Sequence, residues 1–119
     1  MDLSIIDKLI LSQLSSIEKQ CIYKVVHAAM MIDGERNTSK IQLAIEIAGA
    51  IGLTKKELKA SRRIDNHIVT QVIRNMDNVK KTYITRFVAH MILIDGEVSP
   101  REQNFFYSIS THLYLPPIN

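Results

Sequence analysis

The chain has 119 residues and 13.6 kDa, with 46% hydrophobic and 23% charged residues, the composition of one ordinary globular domain spanning 1–119. A lone cysteine, Cys21, excludes an internal disulfide framework and points to a reducing, cytoplasmic setting. No apolar run nears the ~20 residues that cross a bilayer, and a net charge of +3 is too mild to imply a nucleic-acid partner by itself.

Leu3, Ile6, Leu9, Ile10 and Leu14 keep a helical period and predict a first amphipathic helix. Asp7 and Lys8 interrupt this stretch, so it is not expected to be a leader. Ser15-Ser16-Ile17-Glu18 reads as a capping box, in which serine and glutamate side chains satisfy the free N–H groups of a helix start. The second helix then runs to about Ile32, and its second half is apolar enough to predict burial nearly all round. Gly34 stops it, free to take the left-handed conformation of a helix C-terminus. Asn37 or Thr38 caps a third helix that Gly52 ends. Thr54-Lys55-Lys56-Glu57 opens a short basic fourth helix, Asp65 caps a fifth with Ile68, Val72, Ile73 and Met76 on its stripe, and Asp77 or Asn78 begins a sixth. Ser99-Pro100-Arg101-Glu102 opens the seventh, with proline at the first helical position, and Pro116-Pro117 closes the pattern. The expected fold is all-α: about seven helices and no sheet.

Shifted by 62 residues, the sequence overlays on itself. Met31-Ile32-Asp33-Gly34-Glu35 meets Leu93-Ile94-Asp95-Gly96-Glu97, and further on Ile47 meets Ile109, Ile51 meets Leu113 and Leu53 meets Leu115. The reading is a bundle of two pseudo-symmetric helical hairpins, about 25–53 and 87–115, with the apolar second and sixth helices at its centre.

An apolar helix, then Asp-Gly-Glu-Val-Ser-Pro-Arg-Glu over 95–102, then a second apolar helix resembles the signature of the TerB-like tellurite-resistance family. Ile32-Asp33-Gly34-Glu35, with the Ala50-Ile51-Gly52-Leu53 ending, resembles that family's first repeat. The likeness spans roughly 25–115. It implies an all-helical domain with internal pseudo-symmetry, acidic residues grouped at the turns and no well-defined catalytic activity, in a bacterial family that occurs in tellurite resistance, stress responses and membrane-associated complexes. The first copy departs from the pattern: Lys40 stands where the second has Glu102.

Two surfaces are candidates for function. Asp33, Glu35, Asp95, Glu97 and Glu102 supply the carboxylate oxygens that a divalent cation wants, provided the turns converge. An EF-hand is excluded, because its first and third loop positions fall on Met91 and Leu93. Turn and capping chemistry accounts for each acidic residue separately and is the favoured reading, but it does not explain the shared glutamate after glycine. An acidic surface for a protein partner explains that glutamate as well as a metal does. The second candidate is basic. Residues 55–86 hold nine Lys and Arg against three acids, and Lys55, Lys56, Lys59, Arg62 and Arg63 form a face for phosphates, anionic lipid or an acidic partner. A solvated helix face is the plainer account, since no aromatic or groove-reading motif accompanies it.

The four histidines lack ligand spacing, Cys21 reads as a small buried hydrophobe, and no catalytic constellation is present. The expectation is a non-enzymatic interaction domain, with protein the foremost partner, nucleic acid disfavoured and a divalent cation the candidate cofactor. A module binding nucleic acid or an anionic surface through 55–63, and a purely structural or oligomerisation domain, are the alternatives.

Overall fold

A computed structural model describes residues 1–34 and 37–117. Seven helices form among the described residues, with no strand: α1 (Ile5–Leu11), α2 (Ser16–Met31), α3 (Thr38–Ala50), α4 (Lys55–Ser61), α5 (Asn66–Arg74), α6 (Asn78–Leu93) and α7 (Pro100–His112). The all-helical fold is as the sequence predicts. Its starts follow from local chemistry. Ser15, Thr54 and Ser99 each accept from the backbone N–H three residues on, while Glu18, Glu57 and Glu102 reach back to the cap. Asn37 caps α3, Asp65 caps α5 and Asp77 caps α6.

The duplication is longer than the predicted pair of hairpins. The bounds of α2 and α6, and of α3 and α7, differ by the same 62 positions that separate Lys40 from Glu102. α1 and α5 fall at nearly the same offset, so the molecule is two three-helix units, α1–α3 and α5–α7, joined by α4. Equivalent positions are buried together: Leu11 and Ile73, Leu14 and Met76, Ile22 and Ile84, Val26 and Val88, Ile51 and Leu113. α2 lies at the centre and packs against α3, α4, α5 and α6, while α6 also meets α3 and α7.

Expectations about three helices are corrected. The first helix begins after Ser4 rather than at Leu3, because Asp7 closes a capping box on Ser4. Its stripe also faces differently: Leu11 and Leu14 are buried while Ile5, Ile6 and Leu9 are exposed, since a seven-residue helix offers the core only one edge. The second half of α2 is not buried all round, because its neighbours leave His27, Ala28 and Met31 on an open side. In α5 the exposed member of the predicted stripe is Ile68, and Val69 takes the buried place.

α1 is tied to α6 through one carboxylate. The Tyr83 hydroxyl donates to Asp7 Oδ1 at 2.5 Å, Arg86 Nη1 lies 3.4 Å from the same oxygen, and the Ser4 N–H donates to Oδ2 at 2.8 Å. The Tyr83 hydrogen bond leads in holding the Asp7 carboxyl down at about 2, aided by Ser4 and Arg86.

Two predictions follow from these contacts. A carboxyl depressed in the folded state contributes stability above its unfolded pKa of ~4, and that stability is lost as pH falls through the folded value. Wild type should therefore lose urea stability between pH 4 and 2 more steeply than Asp7→Asn, which never had that contribution; equal slopes would refute the tether. Gly96 lies at φ +80, and an added Cβ would meet nothing within 4 Å. Gly96→Ala should therefore cost about 1 kcal/mol or more through backbone conformation alone, read as a lower thermal midpoint.

Candidate functional site

The turns after α2 and α6 converge, and they do so reciprocally. Ser99, the cap of α7, donates its hydroxyl to Asp33 Oδ1 at 2.9 Å, while Asn37, the cap of α3, donates its side-chain amide to Asp95 Oδ2 at 3.1 Å. Each turn aspartate is thus held by the helix cap of the opposite repeat. Between them, Lys40 Nζ lies 2.6 Å from Glu102 Oε2, and both residues are almost sealed from water, at 4% and 2% exposure. The other Glu102 oxygen accepts the Ser99 N–H at 3.0 Å, so both oxygens are engaged. A continuous polar chain results, from Asp33 through Ser99, Glu102, Lys40 and Asn37 to Asp95.

The electrostatics follow from burial. A charge removed from water costs several kcal/mol unless it is paired and its remaining valences are met. Glu102 meets that condition through a capping hydrogen bond and an ammonium. A second pair of equivalent residues repeats the device: Lys80 Nζ lies 3.2 Å from Glu18 Oε1. Partial burial of Glu18 disfavours its charge, but the Ser15 N–H and the Lys80 ammonium outweigh that and hold its carboxyl below the usual range.

The described members of the predicted acidic set fall in different settings. Asp33, Asp95 and Glu102 belong to the polar chain, Glu97 is exposed and Glu35 lies outside the described residues. A hard divalent cation wants ~6–8 oxygen ligands. Here an ammonium already balances the one buried carboxylate, and among the described residues no group of three or more His, Cys, Asp or Glu is placed to hold a metal. The described acidic residues are thus not gathered into a ligand set.

The basic candidates sit as the sequence suggests. Lys55, Lys56, Lys59, Arg62 and Arg63 are all exposed on or just after α4, and none forms an ion pair among the described residues. Cys21 is fully buried, and burial pushes its thiol up to about 11, which fits a packing role. His67 sits by Gln71 and His112 by Thr70, while His27 lies beside the Tyr23 ring.

Residue-by-residue reading missed the cross-repeat bonds of Asn37 and Ser99. The available signal was that two capping residues occupy equivalent places in the duplication. It also missed a groove of about 280 Å³ between α6 and α7, lined by Ala89, Ile92, Leu93, Val98, Phe106 and Tyr107. The groove shares Phe106 and Tyr107 with a further depression that reaches Pro116 and Pro117.

No protein-family profile matches the chain, and no curated protein matches it. Its fold is similar to that in a crystal structure of a protein of unknown function from Porphyromonas gingivalis W83. The two share 24% identity over 100% of this chain and 89% of that one, with a TM-score of 0.75. At that identity the likeness supports the all-helical fold.

The Lys40–Glu102 pair gives the prediction. Lys40→Met leaves a buried carboxylate without its counter-charge and should cost about 3–5 kcal/mol. Adding Glu102→Leu should recover much of that loss, which denaturant midpoints of the single and double variants will show; a neutral Lys40→Met would remove the pair from its central place.

Proposed function

We propose that the chain is a non-enzymatic, TerB-like interaction domain that docks a protein partner through its apolar hairpin faces and needs no metal to do so. The observation that carries this reading is apolar exposure at equivalent positions of the two repeats. Met31 and Leu93 are 46% and 57% exposed, and Ile45 and Tyr107 are 67% and 71% exposed. Such residues add nothing to the core, whereas apolar patches ringed by polar residues are what partner surfaces present. The α6–α7 groove extends the second patch into a concave seat. Lys40 supports the metal-free part of the reading, since its ammonium supplies the positive charge that a bound cation would bring to Glu102. A setting in a bacterial stress or resistance response rests on the sequence resemblance.

The test is affinity capture from an extract of the native host, comparing wild type with Leu93→Ser/Tyr107→Ser. A partner retained by wild type, lost by the variant and indifferent to chelator is the expected result. Equal recovery by the variant would overturn the face, and loss on chelation would overturn the metal-free reading. The thermal midpoint of the variant should stay near that of wild type, because both side chains are largely exposed.

The cations on and just after α4, which form no ion pair among the described residues, support a second reading, contact with an anionic surface. It requires binding that weakens steeply with salt and is lost on Lys55→Ala, Lys56→Ala or Arg62→Ala.

A further inference from the structure

The two repeats differ sharply at one equivalent place. In the first, Gly52 follows α3 at φ +71, and Lys19 donates its ammonium to the Gly52 carbonyl at 3.4 Å. Ser12 turns its hydroxyl back to the Leu9 carbonyl. In the second repeat the same three positions hold Tyr114, Lys81 and Arg74. Tyr114 takes φ +56, a left-handed conformation that is strained for a residue with a side chain. The strained residue places an aromatic ring within reach of two cations. Arg74 Cζ lies 4.3 Å from the ring centre and Lys81 Nζ lies 5.9 Å from it.

Neither cation is paired with an acid among the described residues. Arg74 uses Nε to donate to the His112 carbonyl at 2.7 Å, which leaves its terminal nitrogens available. Lys81 is only 6% exposed, yet its ammonium makes no hydrogen bond or ion pair among the described residues, unlike that of Lys19. It is not sealed away either, since the fully enclosed, unpartnered side-chain polar atom found among the described residues is Ser110 Oγ. Two like charges gathered at one ring repel each other, and the ring face offsets this only in part. What remains is a positive site with an open edge, because Tyr114 is largely exposed.

We propose that Arg74, Lys81 and Tyr114 form a binding site for a phosphate group. Two full positive charges match a dianion better than a single carboxylate, and the free guanidinium nitrogens offer the forked pair of donors that phosphate oxygens accept. Tyr114, just after α7, sets its ring near Arg74 at the end of α5 and Lys81 near the start of α6. The site lies on helices other than α4 and is independent of the apolar faces described above.

The test is calorimetric titration of the full chain with inorganic phosphate at low ionic strength. Saturable binding is expected, weakened about tenfold or more by Arg74→Gln and by Lys81→Met, as befits loss of a charged hydrogen bond. Tyr114→Gly restores the glycine of the first repeat and should keep the fold while weakening phosphate, so the proposal stays testable if Lys81→Met fails to fold. Arg101→Gln, which removes an exposed cation given no role in binding, should leave binding unchanged. No saturable binding, or equal loss in Arg101→Gln, overturns the site. Sedimentation with phosphatidic acid–phosphatidylcholine vesicles, against phosphatidylcholine alone, separates the sources. Vesicle binding lost in Arg74→Gln and Tyr114→Gly assigns a lipid headgroup, binding of free phosphate alone assigns a soluble phosphate ligand, and vesicle binding indifferent to these variants overturns the proposal.

Discussion

The ammonium of Lys40 and the carboxylate of Glu102 meet where the two halves of the molecule join, with almost no water around either. Charges in such a place are tolerated only if each is matched and its remaining valences are filled. Glu102 fulfils this by capping α7 with one oxygen and receiving Lys40 with the other. The pair therefore couples a local event, the start of a helix, to a long-range one, the contact of two turns. Once it is in place, Ser99 and Asn37 lie within reach of Asp33 and Asp95, and the cross-repeat bonds close around it.

Pseudo-symmetry explains why the pair has opposite charges. Residues near a twofold axis face their own equivalents, so two identical repeats would set lysine against lysine or glutamate against glutamate. A single chain carrying both copies can differ at those positions. It does so at 40 and 102, and again at 18 and 80, where Glu18 meets Lys80. Apolar positions are under no such constraint, since a hydrophobic side chain packs as well against its like. Ile22 with Ile84 and Val26 with Val88 accordingly keep the same residue in both copies, all buried. The duplication keeps apolar character where buried equivalents pack and changes charge where equivalents pair with each other.

This division bears on function. The turn aspartates are engaged across the two repeats and Glu102 with a lysine, so these three acids organise the molecule. What faces outward differs in kind: apolar side chains at equivalent places on two hairpins, an exposed basic face on α4, and one corner where the second repeat has tyrosine in place of glycine. The last is a local departure from a pattern the rest of the chain follows, and its strained backbone is the structural mark of that departure.

Helices, caps and stops were legible in the sequence because they depend on residues three or four apart: Ser15 with Glu18, Thr54 with Glu57, Ser99 with Glu102, and Gly34 and Gly96 at positive φ. The duplication was legible too, though only its hairpins, because α1 and α5 carry no shared polar motif. Which side of a short helix faces the core was not legible, as Ile5, Ile6 and Leu9 show, since that is settled by neighbours distant in sequence. The same holds for the site. Lys40 could be seen as the residue matching Glu102, but its meeting with Glu102, like the meeting of Arg74 and Lys81 at Tyr114, exists only once the helices have packed. Local hydrogen bonding and hydrophobic period thus determined the seven helices and their order, whereas the pairing of charges across the two repeats was decided by tertiary structure, because electrostatic partners are chosen by distance in space and by shared burial.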